Sequence, residues 1–400
     1  MNPLYQALND FLMHILLWKW SVETRQRFLL LIMGVILAKS TRPSQMAKTL
    51  CQYGISDAQE SSVQRQLRRI FNDDHFNDKS TYHPFIQTLL GQYKSSEMVC
   101  IIDATTHTDQ FLLLMVAIYY RGRAIPLVWD MWEANVPLKG ARFWERVRQL
   151  IQCAATLIPP ETRVIWLADR AFGTPQFTDL LIPYGWHFVA RVQGQTRFAD
   201  RMGHEARIDQ LAQAKARFKG HGRVFKSAGW RDLGVVVWRS RHHRQLLCLV
   251  SNLDAEYDLV TLYPQRFVIE CLFRDYKSHG WHWEHSQVRD MKHVACLLVA
   301  MAFATSLCLL AGTQVAQEWL DKPASGKRLT LPSEARCSFF QHGLTRLLAW
   351  ACHHMKRPLA WCLQGWDRYN WQQILQRHHL YPTIFGRRKD SHSVVKVRPP

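Results

Sequence analysis

None of the ten cysteines forms a Cys-x-x-Cys pair. The spacings fit neither a zinc ribbon nor a dense disulfide framework, and reduced thiols in a cytosol are expected. The first twenty residues, MNPLYQALNDFLMHILLWKW, lack a basic leading segment and a cleavage site. No signal peptide is read there, and a cytoplasmic location is expected. No internal repeat is present. Acidic residues are in short supply: 32 Asp and Glu stand against 51 Lys and Arg, a formal net charge of +19. An enzyme of small metabolites needs no such excess, whereas a polyanion partner explains it, because Lys and Arg neutralise phosphates. Hydrophobic residues make up 48% of the chain, which excludes global disorder and is enough for one large domain or two to three smaller ones. Tryptophan is abundant at 16, and exposed aromatics can stack on unpaired bases.

One stretch raises the question of a membrane. VACLLVAMAFATSLCLLAG (294–312) carries no charge, and as a helix it would be about 28 Å long. A single span has no partner spans, so a core helix under a sheet is the expectation.

Along the chain, residues 1–95 read as helical, with apolar residues at helical spacing in 8–18 and 27–38. Within them, 44–73 gives a helix, a break at Gly54, a cap at Ser56 or Asp57, and a second helix carrying Arg65, Arg68 and Arg69. Both a helix-turn-helix and an ordinary helical hairpin with a solvated basic face fit this pattern. From 98 to 200 the order is β-β-β-α-β-α-β, which predicts a mixed sheet with helices on its faces. RGR, at 121–123, reads as a hairpin turn. Residues 200–262 look like an inserted strand-rich unit. The chain then turns helical through 263–279 and 287–312. Residues 313–400 are helical in patches and end in the basic tail GRRKDSHSVVKVRPP.

Asp103 and Asp169 share a context: each closes an apolar strand, VCIID and VIWLAD. Folds with α/β architecture place reactive groups at such strand ends, although a strand-end Asp can also simply cap a turn. A third acid stands in YPQRFVIECLFRDYKSHG (263–280). On a helix turning about 100° per residue, Tyr263, Arg266, Glu270 and Lys277 fall within one stripe. Val268, Ile269, Leu272 and Tyr276 fall on the opposite side, and Pro264 is tolerated in the first turn. Three carboxylates can hold two divalent ions about 4 Å apart, which activate a nucleophile and stabilise a leaving oxygen. Mg²⁺ suits carboxylate and water ligands, and the cations and phenol would grip flanking phosphates. Without the two aspartates, the stripe would read as a solvated face with helical ion pairs.

The spacing Tyr-x₂-Arg-x₃-Glu-x₆-Lys resembles the Y-R-E-K signature of bacterial insertion-sequence transposases of the DDE superfamily, insertion sequence family four. Asp103 in IIDAT resembles their first catalytic Asp. Asp169 in LADRAF resembles the second, with Arg170, Ala171 and Phe172 following as in that group. The resemblance covers roughly 98–312. It implies a ribonuclease-H-like mixed α/β core with a β-rich insertion at about 200–262, flanked by a helical DNA-end-binding domain (1–95) and a helical C-terminal region (313–400). It implies Asp103, Asp169 and Glu270 as metal ligands for two Mg²⁺ ions, which Mn²⁺ may replace. Tyr263, Arg266, Lys277 and Arg170 would contact DNA. The reaction implied is hydrolysis at transposon ends followed by attack of the freed 3′-hydroxyl on target DNA. The partners are terminal inverted repeats and target duplex, held by a homodimer associated with the nucleoid. Residues 1–95, with Arg65, Arg68 and Arg69, would recognise the terminal repeats. Trp230 and Trp238 lie in the region where some relatives stack a Trp on a flipped base, although a β-sheet core position is the favoured reading of either.

Three further candidates carry less. His279, His282 and His285 are spaced by three around Gly280, a poor match to Zn²⁺ ligand spacing. The His pairs starting at 242, 353 and 378 have no partner cysteines. Asp130 and Glu133 could support the site, and a hairpin edge explains them equally well.

Overall fold

The structure is a computed structural model, and it describes residues 2–15, 20–92, 97–136, 138–212, 216–239, 246–320 and 337–352. Five helices come first: α1 (Pro3–Ile15), α2 (Val22–Ala38), α3 (Pro43–Gln52), α4 (Glu60–Phe71) and α5 (His83–Gln92). The core then runs β1 (Glu97–His107), β2 (Phe111–Tyr120), β3 (Arg123–Glu133), α6 (Ala141–Leu157), β4 (Arg163–Ala168), α7 (Pro175–Leu181) and β5 (His187–Arg191). That is the order read from the sequence. The β2–β3 hairpin turns on Arg121 and Gly122, both in the left-handed region at φ 50° and 78°, which gives a two-residue turn matching strand twist.

Five more strands follow: β6 (Arg197–Ala199), β7 (Glu205–Arg207), β8 (Arg217–Val224), β9 (Arg231–Trp238) and β10 (Leu247–Ser251). They do not form a unit of their own. β10 pairs antiparallel with β5, β9 with β10, and β8 with β9, so the insertion prolongs the core sheet. The result is one ten-stranded mixed sheet, ordered β3-β2-β1-β4-β5-β10-β9-β8-β6-β7. Its centre is parallel, β1 with β4 and β4 with β5. Such strands are apolar on both faces, and β4 is buried along its length apart from Arg163.

Helices cover both faces. In-register neighbours on adjacent strands point to the same side. Asp130 of β3 is held by Arg146 of α6, and Trp166 of β4 lies edge-on to Phe177 of α7, so α6 and α7 share one side. The opposite side receives α8 (Asp258–Leu262), α9 (Val268–Arg274) and α10 (Met291–Leu320), and α11 (Phe339–Cys352) packs on α10.

The segment Met291–Val315 is long and apolar enough to cross a membrane, yet 94% of its most apolar window is buried inside the protein. It is the core helix, packed against β3, α2 and α11. It runs unbroken past 312, so the boundary expected there falls inside one helix. Within α10, Ser306 returns its hydroxyl to the Ala302 carbonyl and meets the Tyr82 phenol, which donates to the Pro126 carbonyl of β3. This chain of bonds satisfies the polar groups of a site closed to water.

Among the described residues, seven tryptophans are structural. Trp129, Trp132, Trp166, Trp186, Trp281, Trp283 and Trp350 are all buried, so the excess supplies core area.

Candidate active site

The parallel register of β1 and β4 builds the first half of the site. Its last pair is Ile102 with Ala168. One step further stand Asp103 and Asp169, side by side at a strand spacing of about 4.8 Å. β4 stops there, while β1 continues to His107, paired only with β2. Asp103 is therefore inside a strand rather than at its end, at the level where its neighbour leaves a notch.

Local hydrogen bonds aim both carboxylates. Asp103 Oδ1 accepts from the Ala104 amide at 2.8 Å, and Asp169 Oδ1 accepts from the Ala171 amide at 2.8 Å. The loop after Asp169 folds tightly under β5. A Cβ on Gly173 would sit 2.0 Å from the Arg191 carbonyl oxygen, so only glycine fits that close approach.

The second half comes from 263–279, which is not the uniform helix of the wheel. Tyr263–Phe267 is a 3-10 turn, Val268–Arg274 is α-helical, and Asp275–His279 is a π-type turn. In the tight turn, residues three apart eclipse, so Tyr263 and Arg266 align, but inward. Both are buried, at 3% and 7% exposure. The wheel puts them on an exposed DNA-facing stripe; the structure buries both, with Arg266 reaching the cleft between Asp103 and Glu270. The apolar face is as read, with Val268, Ile269, Leu272 and Tyr276 all buried.

Arg266 is the centre of the arrangement. Its Nη1 donates to Asp103 Oδ2 at 3.0 Å, and its Nη2 donates to Glu270 Oε1. Burial works against its charge, and Tyr263, Asp103 and Glu270 outweigh that, raising its pKa. Burial pushes the Asp103 carboxyl up to about 6; Arg266 and the Ala104 amide oppose the rise, and Asp169 and Glu270 add to it. Burial likewise pushes the Tyr263 phenol up to about 12.

These groups line one cleft of about 410 Å³, shared by Asp103, Asp169, Glu270, Arg266, Arg274 and Lys277. The three predicted acids are thus brought together, with Lys277 on the rim. Arg274 and Glu284 also line the cleft, and the sequence reading does not single them out. Arg274 was findable, one helical turn past Glu270. Glu284 has no local signal. It is delivered by tertiary packing: Trp283 stacks on His107 with ring centroids 3.8 Å apart, tying its turn to the end of β1. Burial lowers the His107 pKa to about 4, with Lys277 acting in the same direction, so the ring is neutral near pH 7.

Behind the cleft, Asp275 pairs with Arg123 of β3 at 3.2 Å. Burial raises its carboxyl to about 6 against the pull of Arg123. Gly280 closes the π-type turn where a Cβ would meet the Asp275 carbonyl oxygen at 2.6 Å.

The other predicted residues lie apart. Arg170 is exposed on the loop after β4. Arg65, Arg68 and Arg69 are exposed on α4, whose other face buries Val63, Leu67, Ile70 and Phe71. The helix starts after Gln59, without a side-chain cap, rather than at Ser56 or Asp57. Trp230 lies under the Arg223 guanidinium, 5.2 Å from its ring centroid, and Trp238 packs edge-on to Tyr257. Neither Trp lines the cleft. Asp130 serves Arg146 on the far face of the sheet, away from the site. His282 and His285 lie with ring centroids 5.6 Å apart. The His pairs and the basic tail lie outside the described residues.

Residues 146–307 match the transposase DDE domain. The match takes in Asp169, Glu270 and Lys277 and begins after Asp103. Asp103, outside the match, lies on β1, the direct neighbour of β4. No curated protein matches the chain. Among solved structures it is similar to a piggyBac transposase synaptic complex with hairpin DNA, determined by cryo-EM. The identity is 11% and the TM-score 0.46, over 94% of this chain and 78% of that one. It is also similar to human ENDOV, at 12% identity and TM-score 0.25, over 50% of this chain and 96% of that one. Neither likeness is close enough to carry an argument.

Divalent metal ions are the group a transposase DDE domain implies. The chemistry of the donors fits: three carboxylates on one cleft offer the hard oxygens that Mg²⁺ prefers. Among the described residues, however, no three His, Cys, Asp or Glu side chains form a ready ligand cluster. Here a guanidinium stands between two of the acids.

Proposed function

We propose that the chain is a DDE transposase of the Y-R-E-K group, cutting DNA at transposon ends and joining the 3′-hydroxyl ends to target DNA. The observation that carries this reading is the convergence of Asp103, Asp169 and Glu270 in one cleft rimmed by Arg274 and Lys277. The match to a transposase DDE domain supports the same reaction class.

Bound Mg²⁺, two ions in this reading, supplies activation of the attacking oxygen and neutralisation at the leaving oxygen. Asp103, Asp169 and Glu270 hold it. Lys277 and Arg274 position the phosphates flanking the scissile bond, with Arg170 further out on the same loop as Asp169. The basic face of α4 engages terminal-repeat DNA. Two copies of the chain hold the two ends, in a cytoplasmic setting beside the nucleoid.

The test is incubation with DNA bearing the element's own ends, Mg²⁺ and a target plasmid. Joined products are the expected result. Nicks without joining would make the chain a nuclease, and binding alone would make it an inactive relative. Lys277→Ala should weaken DNA positioning while leaving metal affinity intact, and equal loss of metal affinity would contradict the role given to Lys277.

A further inference from the structure

We infer that Arg266 is the resident counter-cation of this site, and that a divalent ion must displace it to bind Asp103 and Glu270. The inference rests on the reading of the three acids as a metal site.

The geometry points to a stand-in for an ion. One guanidinium spans two acids from different parts of the fold, Asp103 of β1 and Glu270 of α9. Asp103, Asp169 and Glu270 line one cleft, so three like charges face one another across it. Carboxylates so placed need a positive partner nearby. Arg266 provides it when no ion is there. Its two Nη groups take up oxygens that an ion would need, so the two cations compete for one set of donors.

The arrangement is also incompletely satisfied. The Arg266 Nε is buried and makes no hydrogen bond to the described residues. A buried donor without a partner costs free energy. The guanidinium is held by its two carboxylates, beside the Tyr263 phenol and 4.8 Å from the Phe267 ring centroid, with one donor left over. Glu270 is the exposed end of the pair, with 46% of its side chain accessible against 8% for Arg266. Exchange would begin at Glu270, where an incoming hydrated ion can reach an oxygen before the guanidinium has left Asp103.

Competition of this kind is a coupling between two ligands of one donor set, and typical couplings change affinity by about 5-fold to 150-fold. Mn²⁺ binding by the intact chain, followed by electron paramagnetic resonance without DNA, reads it directly. Arg266→Gln should bind Mn²⁺ at least about fivefold more tightly than the unaltered chain. Arg266→Lys, which reaches one carboxylate at a time, should fall between them. Asp103→Asn should bind more weakly. If both Arg266 variants bind no more tightly while Asp103→Asn binds more weakly, the acids are a metal site but Arg266 does not compete for it. If Asp103→Asn leaves Mn²⁺ affinity unchanged, the metal-site reading itself fails, and this inference with it. Should Arg266→Gln not fold, Arg266→Lys decides alone: tighter binding sustains the inference and unchanged binding overturns it.

Discussion

Asp103 and Asp169 stand side by side because Ile102 and Ala168 are the last pair of the parallel β1–β4 ladder. The relationship is one of register. A slip of one residue would turn one of the two carboxylates to the opposite face, toward α6 and α7. The acids are 66 positions apart in the chain, from 103 to 169, and each directly follows a member of the last pair of one ladder. Everything else in the site is placed against that pair.

Glu270→Gln removes one ligand charge without changing shape. If Glu270 holds a catalytic ion, DNA cleavage should fall by roughly 10³-fold, since ion-based stabilisation is worth several kcal/mol. Thermal unfolding should change little, because Glu270 is the exposed member of its ion pair. Cleavage at the unaltered rate would remove Glu270 from the catalytic set.

Acid should disarm the site early. With Asp103 raised to about 6, protonation below that pH removes an oxygen donor, so Mn²⁺ affinity and cleavage should both fall as pH drops through about 6. Stability moves the other way. The folded state keeps a proton on Asp103 and on Asp275 where the unfolded chain, near the ordinary value of 3.8, has lost it. These two groups therefore lower stability as pH rises from about 4 to about 6, each by up to roughly 3 kcal/mol. Urea unfolding across that window should show a flatter profile for Asp103→Asn than for the unaltered chain.

The Arg123–Asp275 pair braces the turn that carries Lys277. Arg123→Ala leaves a buried carboxylate without its partner and should destabilise the fold by about 3 kcal/mol. Asp275→Asn in the same chain should restore part of that loss, because the uncompensated charge is gone. Urea midpoints of the three variants check this, and a double variant as unstable as Arg123→Ala would show that the charge was not the cause.

Arg65, Arg68 and Arg69 project from α4 into solvent. Replacing all three with Ala should leave unfolding within about 0.5 kcal/mol per site. Affinity for terminal-repeat DNA should drop, and the slope of log affinity against log salt should shrink by about 0.9 for each phosphate that is no longer neutralised. An unchanged slope would move DNA recognition to another surface.

Much of this was legible from local pattern. The strands of 98–200, the hairpin turn at RGR, the apolar face of 263–280 and the core role of 294–312 follow from hydrophobic period and turn residues alone, because burial imposes those periods on the sequence. The three acids were legible too, two from the apolar strands they follow and one from its spacing to its neighbours. What was not legible depends on pairing between distant segments. Residues 200–262 look like a separate unit in sequence, since nothing local says that β10 will pair with β5.

The wheel places Arg266 beside Glu270 correctly and misjudges what the neighbours mean. A change from 3-10 turn to α-helix to π-type turn is set by what each turn packs against, and it buries Tyr263 and Arg266. Which residues could be reactive was determined by the sequence, because chemistry resides in side chains and their local spacing. Which cation faces which carboxylate was decided by the tertiary structure alone. That choice rests on register, burial and repulsion among three acids that meet only when the chain is folded.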